Sequence, residues 1–361
     1  MSVLKKIKAV LPLNLKKQKT DDLVSLSLMQ LPEQIKQSWE SSQEINLPVG
    51  YSQFKNIIFC GMGGSNLVSE LFRSVYGNKI SVPFILIRDY HLPKFANSES
   101  LVIICSYSGG TEETVSCLKE AVRKKIKTIC LSEGGPIKEL AQKNNLPFFQ
   151  LDGKYNPSNQ PRYGVGAQLG AILSIMSKLK IIKFSNKDIE KIITTAKKAV
   201  NDFGLSASPS SNPALLSAKK LQGYMPLVVS AEFLSANGHI LSNQINESAK
   251  NLAVPFLIPE LNHHLMEGLK LPKAINSKIK FLFLTGDYAP IIAKRIAVTK
   301  KVLAKQHINW IEYQTKNSDR LFASIETLAF GSWLSFYLAQ LNHENPVSIP
   351  FVNYFKAELK K

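Results

Sequence analysis

The sequence predicts an α/β protein built from two doubly wound domains, each a parallel sheet flanked by helices. Short β-branched apolar runs recur along the chain with helical patterns between them, an order that forces parallel pairing and leaves helices to cover both sheet faces. The alternation occurs twice, on either side of a stretch rich in Gly, Ser, Pro and Asn at 204–213. Two glycine- and hydroxyl-rich turns directly follow two of the apolar runs, at the carboxyl ends of strands, where open parallel sheets bind ligands. A chain of 361 residues that is 45% apolar is long enough to bury both cores.

Taken in order, the first twenty residues are basic and mildly amphipathic (Lys5, Lys6, Lys8, then Lys16, Lys17, Lys19). Without a continuous apolar segment or a small-residue cleavage site, they read as a surface helix or loose arm and not as a secretory signal. Residues 23–39 are helical in pattern, with Pro32 as a break. Strands follow at 56–60, 83–88, 101–105, 127–131 and 147–151, with helices at 66–76, 112–123 and 136–143. A loop at 153–161 ends this unit, and helices at 167–179 and 187–203 lead to the linker at 204–213. The second set has strands at 226–230, 254–258, 280–284 and 309–313, and helices at 232–251, 288–305 and 318–341. The expected division is an N-terminal helical segment at 1–45, a first domain at 46–203 and a second at 204–361, two versions of one architecture without a strict sequence repeat.

Composition narrows the function classes. The net charge of +18 invites a polyanion partner, but the basic residues are dispersed over 124–127, 178–183, 194–198, 300–305 and the C-terminal end. They do not interleave with aromatics, and no helix-turn-helix or RNA-binding signature accompanies them. A generally basic surface that attracts anionic metabolites is expected, with no specific nucleic acid. No apolar run reaches the length of a membrane span. Cys60, Cys105, Cys117 and Cys130 have no metal-pair spacing, and with only 6 histidines no metal site is expected. Buried free thiols in a reducing, cytoplasmic compartment fit this pattern.

The densest chemical signal is Ser106-Tyr-Ser-Gly-Gly-Thr-Glu-Glu-Thr114, read as strand, turn and helix start. Backbone amides and the positive end of a helix dipole stabilise an anion there. One helix cap needs one hydroxyl, whereas Ser106, Ser108, Thr111 and Thr114 supply four within nine residues. The Lys-Ser/Thr ending of a nucleotide-triphosphate loop is absent, so a phosphate monoester is the better fit. Glu112 and Glu113 would repel it unless their side chains point away. Upstream, Gly61-Met-Gly-Gly64-Ser65 makes a second such turn, lacking the third glycine of a dinucleotide fingerprint.

The second half holds two polar constellations. Asn243 and Glu247 share a helix face, as do Asn246 and Lys250. Amides around the Glu247 carboxylate would orient a general base; an exposed polar face with Glu247 solvated explains the same spacing. Pro259-Glu-Leu-Asn-His263-His264 reads as an irregular loop after a strand. From spacing alone, one of its histidines is either an acid/base or a surface residue.

These motifs, in this order, resemble those of the bifunctional phosphoglucose/phosphomannose isomerase family, built from two sugar isomerase (SIS) domains. The similarity runs from about Asp21 to the C-terminus and includes the two turns, 87–93, Pro161-Arg162, 243–250, 259–263 and 331–339. The resemblance implies an aldose–ketose isomerase acting on a six-carbon sugar phosphate, with no cofactor. By carry-over, Gly64, Ser65, Ser106, Ser108, Thr111 and Thr114 would hold the phosphate, and Arg162 would stabilise the enediolate. Glu247 would move the proton between C1 and C2, and His263, supplied by the partner of a homodimer, would assist ring opening. Lys356, on a C-terminal segment returning to the active site, would approach the ring oxygen. The chemistry suits these residue types: proton transfer beside a carbonyl needs a tuned carboxylate, the enediolate a fixed donor, and ring opening a group that exchanges protons near neutrality. The chain departs from the family pattern at Ile240, Ser242, Gly110, His264 and Ser332, which bears on substrate preference. A non-catalytic phosphosugar-binding SIS protein and a polyanion binder are the competing classes; retention of Arg162, Glu247 and His263 weighs against the first, and the second rests only on the charge of +18.

Overall fold

The computed structural model describes residues 15–359 and Lys361, so the basic arm read at Lys5, Lys6 and Lys8 lies outside the described residues. The described chain divides into two compact units, 30–197 and 198–361, the latter joined by Leu15–Met29. Helix α1 (Leu15–Met29) and helix α2 (Leu31–Ser42) replace the single interrupted helix expected at 23–39. The break falls at Gln30 because Pro32 sits in the first turn of α2, where its missing N–H is not needed.

In the unit at 30–197, strands β1 (Asn56–Cys60), β2 (Phe84–Ile87), β3 (Ser100–Cys105), β4 (Lys127–Ser132) and β5 (Phe148–Gln150) form one parallel sheet in the order β2-β1-β3-β4-β5. Strand β3 is central and buried along its whole length, which is why its run Ser-Leu-Val-Ile-Ile-Cys is continuously apolar after its first residue. Helices α3 (Gly64–Tyr76), α4 (Glu112–Arg123) and α5 (Gly135–Lys143) make the crossovers, and α6 (Val165–Lys178) packs on α2. Cys60, Cys117 and Cys130 join Ile58, Val102, Ile104 and Leu118 in the core between this sheet and its helices. All four cysteines are buried free thiols, and burial pushes Cys105 and Cys130 up to about 12. Helix α7 (Asn186–Phe203) carries the chain out of this unit, the change falling after Lys197.

The other unit repeats the winding. After α8 (Pro213–Leu221) come β6 (Met225–Ala231), α9 (Ser235–Ala249), β7 (Val254–Ile258), the short helices α10 (Leu261–His264) and α11 (Lys273–Asn276), β8 (Ile279–Thr285), α12 (Pro290–Lys305) and β9 (Trp310–Gln314). The parallel order β7-β6-β8-β9 matches β2-β1-β3-β4 position for position. The stretch at 204–213 lies within this unit and is firmly held: the buried Asn212 amide donates to the Phe203 carbonyl at 2.8 Å and the Tyr337 hydroxyl at 3.2 Å, while its oxygen caps α8. Two helices close the chain, α13 (Arg320–Leu341) and α14 (Pro350–Glu358).

One expectation is corrected here. Helix α13, capped by Asp319, is long and apolar enough by length and composition to cross a membrane, although the sequence reading finds no such run. Its most apolar window is 94% buried inside the protein, where it packs against α8 and α9 as a core helix.

Candidate active site

Both hydroxyl turns lie at the carboxyl edge of the first sheet, on strands that pair directly. Helix α3 starts after Gly63, at φ +47°, and neither α3 nor α4 has a side-chain cap at its N-terminus. Thr111 occupies the cap position of α4, but its hydroxyl lies 3.0 Å from Ser106 Oγ. The hydroxyls therefore do something other than close the helix. Ser65 Oγ accepts from the Tyr107 amide at 2.7 Å and so ties the first turn to the second. The Thr114 hydroxyl is buried and has no protein partner. Ser108 is exposed at the turn's apex. Glu112 and Glu113 lie near Tyr90 and push its phenol up, Glu113 most.

Two close approaches explain the glycines. At Gly109, φ is +73° and an added Cβ would stand 1.7 Å from the Gly134 carbonyl oxygen, so the β3–α4 and β4–α5 turns interlock only without a side chain. At Gly64 a Cβ would meet Pro161 Cβ at 3.0 Å and the Arg162 amide nitrogen at 3.3 Å. The Pro161-Arg162 segment thus lies directly on the first turn. The structure brings Gly64, Ser65, Ser106, Thr111 and Arg162 into one neighbourhood, with Ser108 and Thr114 on the same turn and helix.

The loop at 153–161, expected only to end the unit, is a buried part of this neighbourhood. Asn156 and Ser158 are buried, and Arg162 is 3% exposed, its guanidinium 5.2 Å from the Tyr163 ring centroid and its Nη1 donating to Gln160 Oε1 at 2.9 Å. The Tyr107 hydroxyl accepts from Asn156 Nδ2 at 2.9 Å. Burial pushes the Tyr107 phenol well up, and burial likewise raises the neighbouring Glu133 carboxyl, with Asp152 adding to it. Tyr107, Asn156 and Gln160 were not among the expected site residues. The signal for them was the Asn-Pro-Ser-Asn-Gln run before Arg162, whose amides and hydroxyls favour side-chain-to-backbone turns.

Glu247, His263 and Lys356 belong to the other unit and stand on three different helices. Glu247 is half-buried near the end of α9, its carbonyl accepting from Lys250 Nζ at 2.7 Å. The amides expected around its carboxylate have other engagements. Asn243 Nδ2 lies 3.2 Å from His239 Nε2, and Asn246 bonds to the Ser242 carbonyl and to both backbone groups of Ala253. Lys250, at φ +50°, ends the helix and bridges to the Asn345 carbonyl, so it does not continue the Asn246 face. The expected irregular loop at 259–264 is the short helix α10; His263 and His264 are exposed on it, and Asn262 is anchored to Thr299 at 2.8 Å. Lys356 is exposed on α14, where Phe351, Tyr354 and Phe355 are exposed as well. Ile240, Ser242 and Ser332 are buried, with Ser332 Oγ accepting from Gln244 at 2.9 Å, so these departures from the family pattern pack into the unit's interior. Among the described residues no group of three or more His, Cys, Asp or Glu side chains converges to hold a metal ion.

Two sheets of one winding, with a paired hydroxyl turn at the carboxyl edge of the first, define a double-SIS protein. Residues 210–359 match the bacterial phospho-glucose isomerase C-terminal SIS domain. The chain is 27% identical over 309 residues to a bifunctional phosphoglucose/phosphomannose isomerase of Aquifex aeolicus, covering 85% of this chain and 91% of that one. It is 28% identical over 340 residues to the protein of the same name from Caldicellulosiruptor bescii, covering 92% and 98%. The crystal structure of a hypothetical protein from Thermus thermophilus superposes with a TM-score of 0.74 at 16% identity, over 93% of this chain and 90% of that chain, and shares the fold. Over most of its length the chain is thus similar to bifunctional phosphoglucose/phosphomannose isomerases.

Proposed function

We propose that this protein interconverts glucose 6-phosphate, mannose 6-phosphate or both with fructose 6-phosphate through an enediolate. The observation that carries the reading is the uncapped start of α4, with hydroxyls gathered on it and the buried Thr114 hydroxyl left without a protein partner. A helix N-terminus without a side-chain cap, with a buried unbonded hydroxyl beside it, suits a phosphate dianion. In this reading Gly64, Ser65, Ser106, Ser108, Thr111 and Thr114 anchor the phosphate. Glu247 removes the proton from C2 of the open-chain aldose and returns it to C1, and Arg162 faces the negative oxygen that develops between the two transfers. His263 and Lys356 serve ring opening, His263 from the second subunit of a homodimer. The exposure of both side chains in the single chain supports a role completed by a partner. The reaction moves protons only and needs no redox cofactor; a cytoplasmic location accords with four buried reduced thiols.

Coupled assays from fructose 6-phosphate toward each aldose phosphate, with the Glu247→Gln variant alongside, test this. Turnover in the parent and a loss of about 10³-fold or more in the variant is expected. Binding of sugar phosphate without turnover would replace the isomerase with a non-catalytic phosphosugar-binding protein.

A further inference from the structure

Helix α14 (Pro350–Glu358) has none of its 9 residues buried. Phe351 is 87% exposed, Tyr354 68% and Phe355 61%, with Val352 and Leu359 open beside them. At helical spacing these five side chains fall on one broad stripe, and Asn353 and Ala357 lie on the opposite face. Glu358, at the far end of the stripe, is paired with Lys361 at 2.7 Å. A lone helix shorter than about 12–15 residues is marginal in water, and α14 has no side-chain cap at its N-terminus. Its root, by contrast, is firmly tied. The Asn345 carbonyl accepts from Lys250 Nζ at 2.7 Å, and Asn345 Oδ1 accepts from the Val347 and Ser348 amides at 2.8 and 3.2 Å. A short helix that shows an aromatic stripe to solvent from a fixed root is completed by a surface it covers.

We propose that α14 docks on a second copy of this chain, each copy covering the stripe of the other. Area selects this occupant. Aromatic side chains present about 150–250 Å² each, so the three rings leave about 400 Å² open per chain. Laid on one unlike partner, with an equal area covered opposite, the helix would bury about 800 Å², short of the roughly 1,200–2,000 Å² of a stable specific interface. Exchanged about a two-fold axis, the same contact is made twice and buries about 1,600 Å². The receiving surface is present on the same unit. Most large apolar side chains exposed among the described residues lie in 252–359, including Leu257 on the edge strand β7 and Ile291 and Val298 on one face of α12. The exposed Lys356 borders the stripe, so docking fixes its ammonium at the rim of the contact. The inference rests on the homodimer of the proposed function and names the element that builds it.

The test is sedimentation equilibrium of the full chain, with hydrogen exchange read over 350–359. Three proteins are compared: the parent, the double variant Phe351→Asp with Phe355→Asp, and Asn353→Asp on the opposite face as control. The parent and the control are expected to be dimers with α14 protected. The double variant should dimerise at least about 100-fold more weakly and lose that protection, with the unfolding midpoint of its monomer unchanged. A monomeric parent, or a double variant that dimerises as tightly as the parent, would overturn the proposal. Binding of a monomeric parent to phosphatidylglycerol vesicles, abolished in the double variant, would overturn it in favour of a lipid surface. Turnover of fructose 6-phosphate is measured alongside. A dimer held by α14 that turns over nothing would overturn the isomerase reading alone, and an active monomer would overturn the docking role alone.

Discussion

Thr114 is where function and stability pull apart most clearly. Its hydroxyl is buried without a protein partner, and an unmade hydrogen bond of this kind costs about 1–3 kcal/mol. Thr114→Val keeps the shape and deletes the hydroxyl. Chemical denaturation should then show the protein about 1 kcal/mol more stable, while KM for sugar phosphate rises about tenfold. A more stable protein with unchanged KM would remove Thr114 from the phosphate site. The residue scale is also where the sequence was easiest and hardest to read. The four hydroxyls of 106–114 exceed what a cap requires, and the excess was visible as composition. The burial of Asn156 and Ser158 was not, because an Asn/Ser/Pro run looks the same whether it lies in solvent or is folded into the unit. Only the long-range bonds to Tyr107 and Gln34 distinguish the two.

At the scale of elements, continuous apolar runs identified the central strands because a parallel strand covered on both faces has no polar side. Helix ends were less legible: Pro32 marks a first turn and not a break, and 259–264 winds into a short helix. The β9–α13 connection shows how an element boundary is fastened by a single charge. Glu326, 4% exposed on α13, accepts from Tyr313 at 2.5 Å, Thr315 at 2.8 Å, and the Lys316 amide at 2.9 Å, as well as from Asn317. Burial pushes its carboxyl up, but these donors together outweigh burial and hold it below its usual 4.5. A carboxyl depressed on folding contributes stability that is complete above the unfolded value and lost as pH falls through the folded one. Glu326→Gln should therefore cost about 3 kcal/mol near neutrality and flatten the decline in stability on acidification, as read from denaturation midpoints across that range. An unchanged midpoint at neutral pH would mean that the donors find other partners.

For the molecule as a whole, the proposed supply of His263 by a second subunit has an arithmetical signature. Glu247→Gln and His263→Ala, each inactive alone, should regain about a quarter of parental activity when unfolded together and refolded as mixed dimers, since half the dimers then contain one intact site. No recovery in dimers shown to be mixed would place both groups in the same chain. The doubled architecture was legible from strand spacing, but the asymmetry between its halves required the topology. Strand β8 holds the position in its sheet that β3 holds in the other, yet β3 is followed by Ser106-Tyr-Ser-Gly-Gly-Thr111 and β8 by Gly286-Asp-Tyr-Ala289. One copy of the scaffold carries the collar of hydroxyls at this turn and the other does not. On the proposed function the consequence is a division of labour: a lineage would retune the epimer it accepts through mutations in the unit bearing Glu247 and His263, while the unit proposed to grip the phosphate stays under its own, separate selection.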